Sequence, residues 1–140
     1  MLKRIIVALD SSEQSQEVIK SLYELQIQPA TKIILSHVIP DRSSEEEVAV
    51  DHPQASDELH YRHIEKQLKS YQDQFPGEWE LEIVTGEPAV EIVRLAHIYN
   101  ADLIVIGNRG LTGLKRILQG SVSSQVVTEA PCSVLVVKSS

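Results

Sequence analysis

Two glycines separated by two residues, Gly107 and Gly110, and a third glycine followed by serine, Gly120-Ser121, are the residues best suited by type and spacing to hold an anion. Gly107 and Gly110 admit backbone conformations closed to other residues and let a ligand approach the main chain closely. Gly120-Ser121-Val122-Ser123 reads as the opening of a helix, where free N–H groups, the helix dipole and serine hydroxyls all offer donors to a phosphate. Arg109 could add a fixed cation to a phosphate oxygen. Each piece has an ordinary reading as well. A Gly-x-x-Gly after a strand is often a tight turn, and Gly-Ser before a helix is often a cap. The joint spacing, G-x2-G-x9-G-S, carries the weight.

Other chemistry-bearing residues point elsewhere or nowhere. A lysine directly before Ser/Thr at the phosphate-binding helix is required of a P-loop, and Gly120 stands there instead. The Asp10-Ser11-Ser12-Glu13 segment after the first apolar run has nothing of the G-x-G-x-x-G dinucleotide fingerprint. No nucleophile elbow of the G-x-S-x-G type occurs, and no residue is assigned a catalytic role. His60 and His63 are three apart on a helical pattern without an evident third ligand, so no metal site is assigned. Cys132 follows a proline and opens an apolar run, which reads as a buried structural thiol. His37 ends a strand and either touches a ligand or packs.

These residues need elements to position them. Four short β-branched runs, Arg4 to Leu9, Lys32 to Ile39, Asp102 to Gly107 and Cys132 to Lys138, read as strands covered on both faces. Trp79 to Thr85 alternates, with Trp79, Leu81 and Ile83 opposed to Glu80 and Glu82, and so predicts a half-exposed strand near a sheet edge. Helical spacing joins Ser15, Val18, Ile19, Leu22 and Leu25 within 12–26, then Tyr61, Ile64, Leu68, Tyr71 and Phe75 before Pro76-Gly77. Ala89, Ile92, Val93 and Ala96 make a third stripe, and Ser121 to Glu129 a fourth helix. The alternation predicts an α/β fold with a doubly wound parallel sheet, in which ligands bind beyond the carboxyl ends of the strands. Asp10 and the glycines all follow strands. Residues 40–56, with Glu45, Glu46 and Glu47 and two prolines, predict a flexible, solvated loop within a single domain over 1–140.

Composition narrows the partners. Apolar residues make up 42%, enough for a sizeable core, and 13 basic against 20 acidic residues give a net charge of −7. An acidic chain without a Lys/Arg block is unsuited to nucleic acid. The first apolar run is too short for a membrane span and lacks a secretory cleavage region. A lone cysteine excludes an internal disulfide and fits a reducing compartment, so the expected location is cytoplasmic.

The G-x2-G-x9-G-S spacing resembles the nucleotide-binding signature of the universal stress protein family, in its ATP-binding subgroup. The opening Ile5-Ile6-Val7-Ala8-Leu9-Asp10-Ser11-Ser12, the turn Gly86-Glu87-Pro88-Ala89, the run Ala101 to Gly107 and the run Ala130 to Val137 resemble that family too. The resemblance implies a single-domain, five-stranded parallel sheet of order 3-2-1-4-5, helices on both faces, of the adenine nucleotide alpha-hydrolase-like class. It implies a site in which Ala8, Leu9, Asp10 and Val38 border adenine and ribose, and Ile106 and Gly107 floor the pocket. Arg109 and Gly110 would line the phosphate path, and Gly120, Ser121, Val122 and Ser123 would hold the phosphates. The ligand implied is ATP, or AMP or cyclic AMP, with any Mg2+ held mainly by phosphates. Family likeness further implies a homodimer through the last strand, Cys132 to Lys138. A stress-response sensor or regulator is the function expected, with a slow ATPase using the same pocket as the alternative.

Overall fold

The computed structural model describes residues 2–10, 14–40, 54–74, 77–108 and 121–138, with residues 54–57 and Ser121 described by backbone alone. Among the described residues nine elements follow in order: β1 (Arg4–Leu9), α1 (Gln14–Glu24), β2 (Lys32–Pro40), α2 (Gln54–Gln72), β3 (Glu78–Gly86), α3 (Pro88–Tyr99), β4 (Leu103–Gly107), α4 (Ser121–Glu129) and β5 (Ser133–Val137). The strands form one parallel sheet of order β3-β2-β1-β4-β5. Both the fold class and the strand order expected from the sequence are thus observed. The alternating strand Trp79 to Thr85 lies within β3, at an edge.

Side-chain alternation divides the core into two layers. Ile5, Val7 and Leu9 of β1, Ile33 and Leu35 of β2 and Leu103 and Val105 of β4 pack against Val18, Ile19 and Leu22 of α1 and Ile64, Leu68 and Tyr71 of α2. The intervening residues Ile6, Ala8, Ile34, Val38, Ile104 and Ile106 face Ala89, Ile92, Leu95 and Ala96 of α3 and Val126 of α4. Because both faces are covered, the strands read as continuous apolar runs rather than as alternating ones. On β3 the alternation survives: Trp79, Leu81 and Ile83 join the first layer, while Glu80 and Glu82 meet the Tyr99 hydroxyl on the other face.

Helix ends depart from the apolar stripes. α1 stops at Glu24, and Gln26 turns the chain with a left-handed φ of 53°. The second stripe begins at Ile64, since Tyr61 is 43% exposed, whereas Phe75 lies outside the described residues. α2 itself starts at Gln54, so the last three residues of segment 40–56 are helical, Pro40 ends β2, and 41–53 lie outside the described residues. At the amino ends of the strands, Asp102 Oδ2 accepts the backbone N–H groups of Lys3 and Arg4 at 2.8 and 3.0 Å. These bonds hold the Asp102 carboxyl below the usual carboxylate pKa and pin β1 to β4.

Candidate functional site: a cleft at the carboxyl ends of the central strands

The chain leaves β1 toward β2 on one side and lies beside β4 on the other, so the strand order reverses at β1. A cleft opens there, with about 500 Å³ of space continuous with solvent. Ala8, Leu9 and Asp10 reach it from β1, Val38 from β2, Ile106 and Gly107 from β4, and Val122 from the first turn of α4. Seven residues chosen from the sequence are therefore brought together.

The others are placed differently. Ser123 is 6% exposed on α4 and is not part of the cleft wall, while Ser121 opens that helix. Arg109, Gly110 and Gly120 lie outside the described residues.

Six wall residues were not singled out as site residues: Gln14, Ser15 and Val18 of α1, Ser36 of β2, and Pro88 and Ile92 of α3. Ser36 was legible in principle as a polar interruption of the apolar run Ile33 to Ile39. Its hydroxyl donates to the Val7 carbonyl at 3.0 Å, tying β2 to β1 under the cleft. Ser15 lies within the apolar stripe of α1, where the sequence predicts packing. It is 2% exposed, and its hydroxyl has no hydrogen-bond partner among the described residues. Such an orphaned group costs stability unless something meets it, which fits a wall that is completed by a ligand.

Gln14 is 3% exposed. Its Nε2 donates to Asn108 Oδ1 and to the Val137 carbonyl, both at 2.9 Å. Gly107 has no left-handed φ, so conformational freedom is not what makes it glycine. A Cβ at Gly107 would stand 2.5 Å from Gln14 Oε1 and 2.6 Å from Cδ, so close approach is the reason. Of the two reasons expected for this glycine, the left-handed conformation does not apply, and the close approach seen here is that of Gln14.

His37 packs. Its side chain lies on the α1/α2 face, opposite Val38, and Nδ1 is 3.0 Å from the Leu9 carbonyl. A carbonyl only accepts, so Nδ1 carries the hydrogen. Burial lowers its pKa below the ordinary value, against the Leu9 bond and the Asp10 charge, with His60 adding to the lowering. Cys132 is half-buried, and burial raises its thiol pKa, the opposite of an activated nucleophile. Among the described residues no cluster of three His, Cys, Asp or Glu could hold a metal ion. No helix there is long and apolar enough to cross a membrane.

Chemically, Ala8, Val38, Ile92, Ile106 and Val122 give the cleft apolar walls suited to a flat ring. Asp10, half-exposed on the cleft wall, brings a carboxylate to it. The nine-residue helix α4 reaches the same cleft through Val122 of its first turn.

A family model described as the universal stress protein family matches residues 1–138. The universal stress protein Sll1388 of Synechocystis is 33% identical over 155 aligned residues, covering 96% of this chain and 97% of that protein. Among solved structures, the hypothetical protein MJ0577 superposes with a TM-score of 0.84 at 30% identity, covering 100% of this chain and 98% of that one. A universal stress protein in complex with cAMP has a TM-score of 0.71 at 22% identity, covering 99% of this chain and 98% of the other. One from Archaeoglobus fulgidus in complex with dAMP has a TM-score of 0.70 at 22% identity, covering 99% and 100%.

Proposed function

The chain belongs to the universal stress protein family, and from that premise we propose that it binds an adenine nucleotide in the cleft at the ends of β1, β2 and β4. The observation that carries this reading is the convergence of Ala8, Leu9, Asp10, Val38, Ile106, Gly107 and Val122 on one cleft at the point where the strand order reverses. The two ligands of the structural relatives, cAMP and dAMP, differ in sugar and phosphate and share adenine. An apolar slot with few polar groups suits that shared part. ATP, AMP and cyclic AMP are the candidates. Their phosphates would extend toward the N-terminus of α4 and toward Arg109, Gly110, Gly120, Ser121 and Ser123, with Mg2+, where present, bridging phosphate oxygens.

The role we assign is a cytoplasmic regulator in the stress response, which changes state with nucleotide occupancy. Asp10 is the one carboxylate on the cleft wall among the described residues, and we assign it to ribose hydroxyls rather than to a water aimed at a terminal phosphate. We assign the physiological form as a homodimer through Cys132 to Lys138, because β5 ends the sheet with Val134, Leu135, Val136 and Val137 only half-buried.

Calorimetric titration of the nucleotide-stripped protein with ATP and Mg2+, AMP and cyclic AMP tests the reading. One nucleotide per subunit with micromolar affinity is expected, and Gly120→Val should abolish it while the circular dichroism spectrum stays native. Failure of all three nucleotides to bind removes the proposed function.

A further inference from the structure

Gln14 stands at the first position of α1, on the cleft wall, and is tied to two other elements at once. Both hydrogens of its carboxamide are used: one goes to Asn108 Oδ1 and one to the Val137 carbonyl. The same Val137 carbonyl accepts the Asn108 backbone N–H at 3.0 Å. Asn108 is the residue at which the chain leaves β4, just before Arg109 and Gly110, and Val137 is the last residue of β5. A single buried side chain thus joins the cleft, the departure point of the glycine-bearing segment and the end of the edge strand. The absent side chain of Gly107 is what makes room for it, since a Cβ there would stand 2.5 Å from Gln14 Oε1 and 3.1 Å from Nε2.

We propose that Gln14 is a positioning residue of the nucleotide site: its carboxamide clamps Asn108 to Val137, and Gly107 is glycine to admit that carboxamide. The consequence for nucleotide affinity rests on the function proposed above, while the clamp itself does not. Physically, the atom that a Cβ on Gly107 would strike is the far end of a side chain, which could swing away if it were loose. It is not loose, being 3% exposed and held by two hydrogen bonds. An alanine at 107 therefore acts by breaking the clamp rather than by straining the β4 backbone. Replacing Gln14 removes the obstacle in advance.

The experiment is a double-mutant cycle of Gln14→Ala, Gly107→Ala and the double variant, read by thermal unfolding without nucleotide and by titration with ATP and Mg2+. Gly107→Ala alone should lower Tm by on the order of 5 °C. In the Gln14→Ala background the same change should cost almost nothing, because the site it enters has been vacated. Gln14→Ala should weaken ATP binding by about three- to tenfold, the range expected for losing a hydrogen-bonded constraint. It should also speed hydrogen exchange at the Asn108 amide, a readout that general destabilisation would spread over the whole sheet.

Additive effects of the two substitutions on Tm overturn the pairing of Gly107 with Gln14. Unchanged affinity and unchanged Asn108 exchange in Gln14→Ala overturn the positioning role. If the cycle is non-additive and Asn108 exchange responds, but the unsubstituted protein binds no nucleotide, the clamp stands and the nucleotide reading falls.

Discussion

His37 is 5% exposed and gives its Nδ1 hydrogen to the Leu9 carbonyl, one residue before Asp10. Burial lowers its pKa, with His60 of α2 pushing the same way and Asp10 and the Leu9 bond opposing. Unfolding returns the imidazole to its ordinary value near 6.5, so below that pH the unfolded chain takes up a proton that the folded chain resists. The stabilising contribution is complete above about pH 6.5 and is lost as pH falls toward the depressed folded value. Urea unfolding over a pH series should show stability falling below about pH 6.5, with a shallower slope in His37→Gln; equal slopes would remove His37 as the cause. Gly107 and Asp10 were legible as cleft residues because each stands at the carboxyl end of a strand of a doubly wound sheet, where ligands bind. Gln14 was illegible for a physical reason: its importance comes from where β4 and β5 end in space, and no local pattern encodes that. Gly107 was legible as a position but not as a reason.

At the scale of elements, burial wrote the strands plainly and the helix ends poorly. Continuous β-branched runs identified β1, β2, β4 and β5 because both sheet faces are covered, and the Glu80 and Glu82 alternation identified β3 as an edge. Helix ends are decided by single backbone choices instead. α3 closes with Asn100 in a left-handed conformation, φ 55° and ψ 51°, where the Ala101 N–H reaches back to the Ala96 carbonyl at 3.0 Å. This closure sets the length of the helix that brings Pro88 and Ile92 to the cleft at one end. At the other end it sets Tyr99 against Glu80 and Glu82. Lys32 reinforces that far end, 2.8 Å from Glu80 and 5.5 Å from the Tyr99 ring centroid, and the Lys32 bond holds the Glu80 carboxyl below its usual pKa. Asn100→Gly should leave stability unchanged or slightly raised, and Asn100→Val should cost about 1–2 kcal/mol in urea unfolding, since a β-branched residue resists the left-handed region. Equal stabilities of the two variants would contradict the capping role.

For the molecule as a whole, the two outer strands of the sheet differ. β3 carries Glu78, Glu80 and Glu82, partly engaged by Lys32, whereas β5 carries Val134 to Val137. The Val137 carbonyl turns inward to Asn108, so the backbone N–H and carbonyl of Val136, one residue earlier, face outward. Val136→Pro removes that outward donor without taking one from the β4 ladder, and edge positions tolerate proline. Sedimentation should then show the proposed dimer replaced by a folded monomer; a persisting dimer would place the interface elsewhere. The strand order itself followed from family likeness rather than from periodicity, since five buried runs are compatible with several orders. The unlike edges also limit how far such sheets can grow. Charge along β3 disfavours strand addition on that side, leaving each chain a valence of one. In the proposed dimer, two chains joined through β5 would form a ten-stranded sheet with a repelling border at both ends, a union that would terminate growth instead of seeding a fibre.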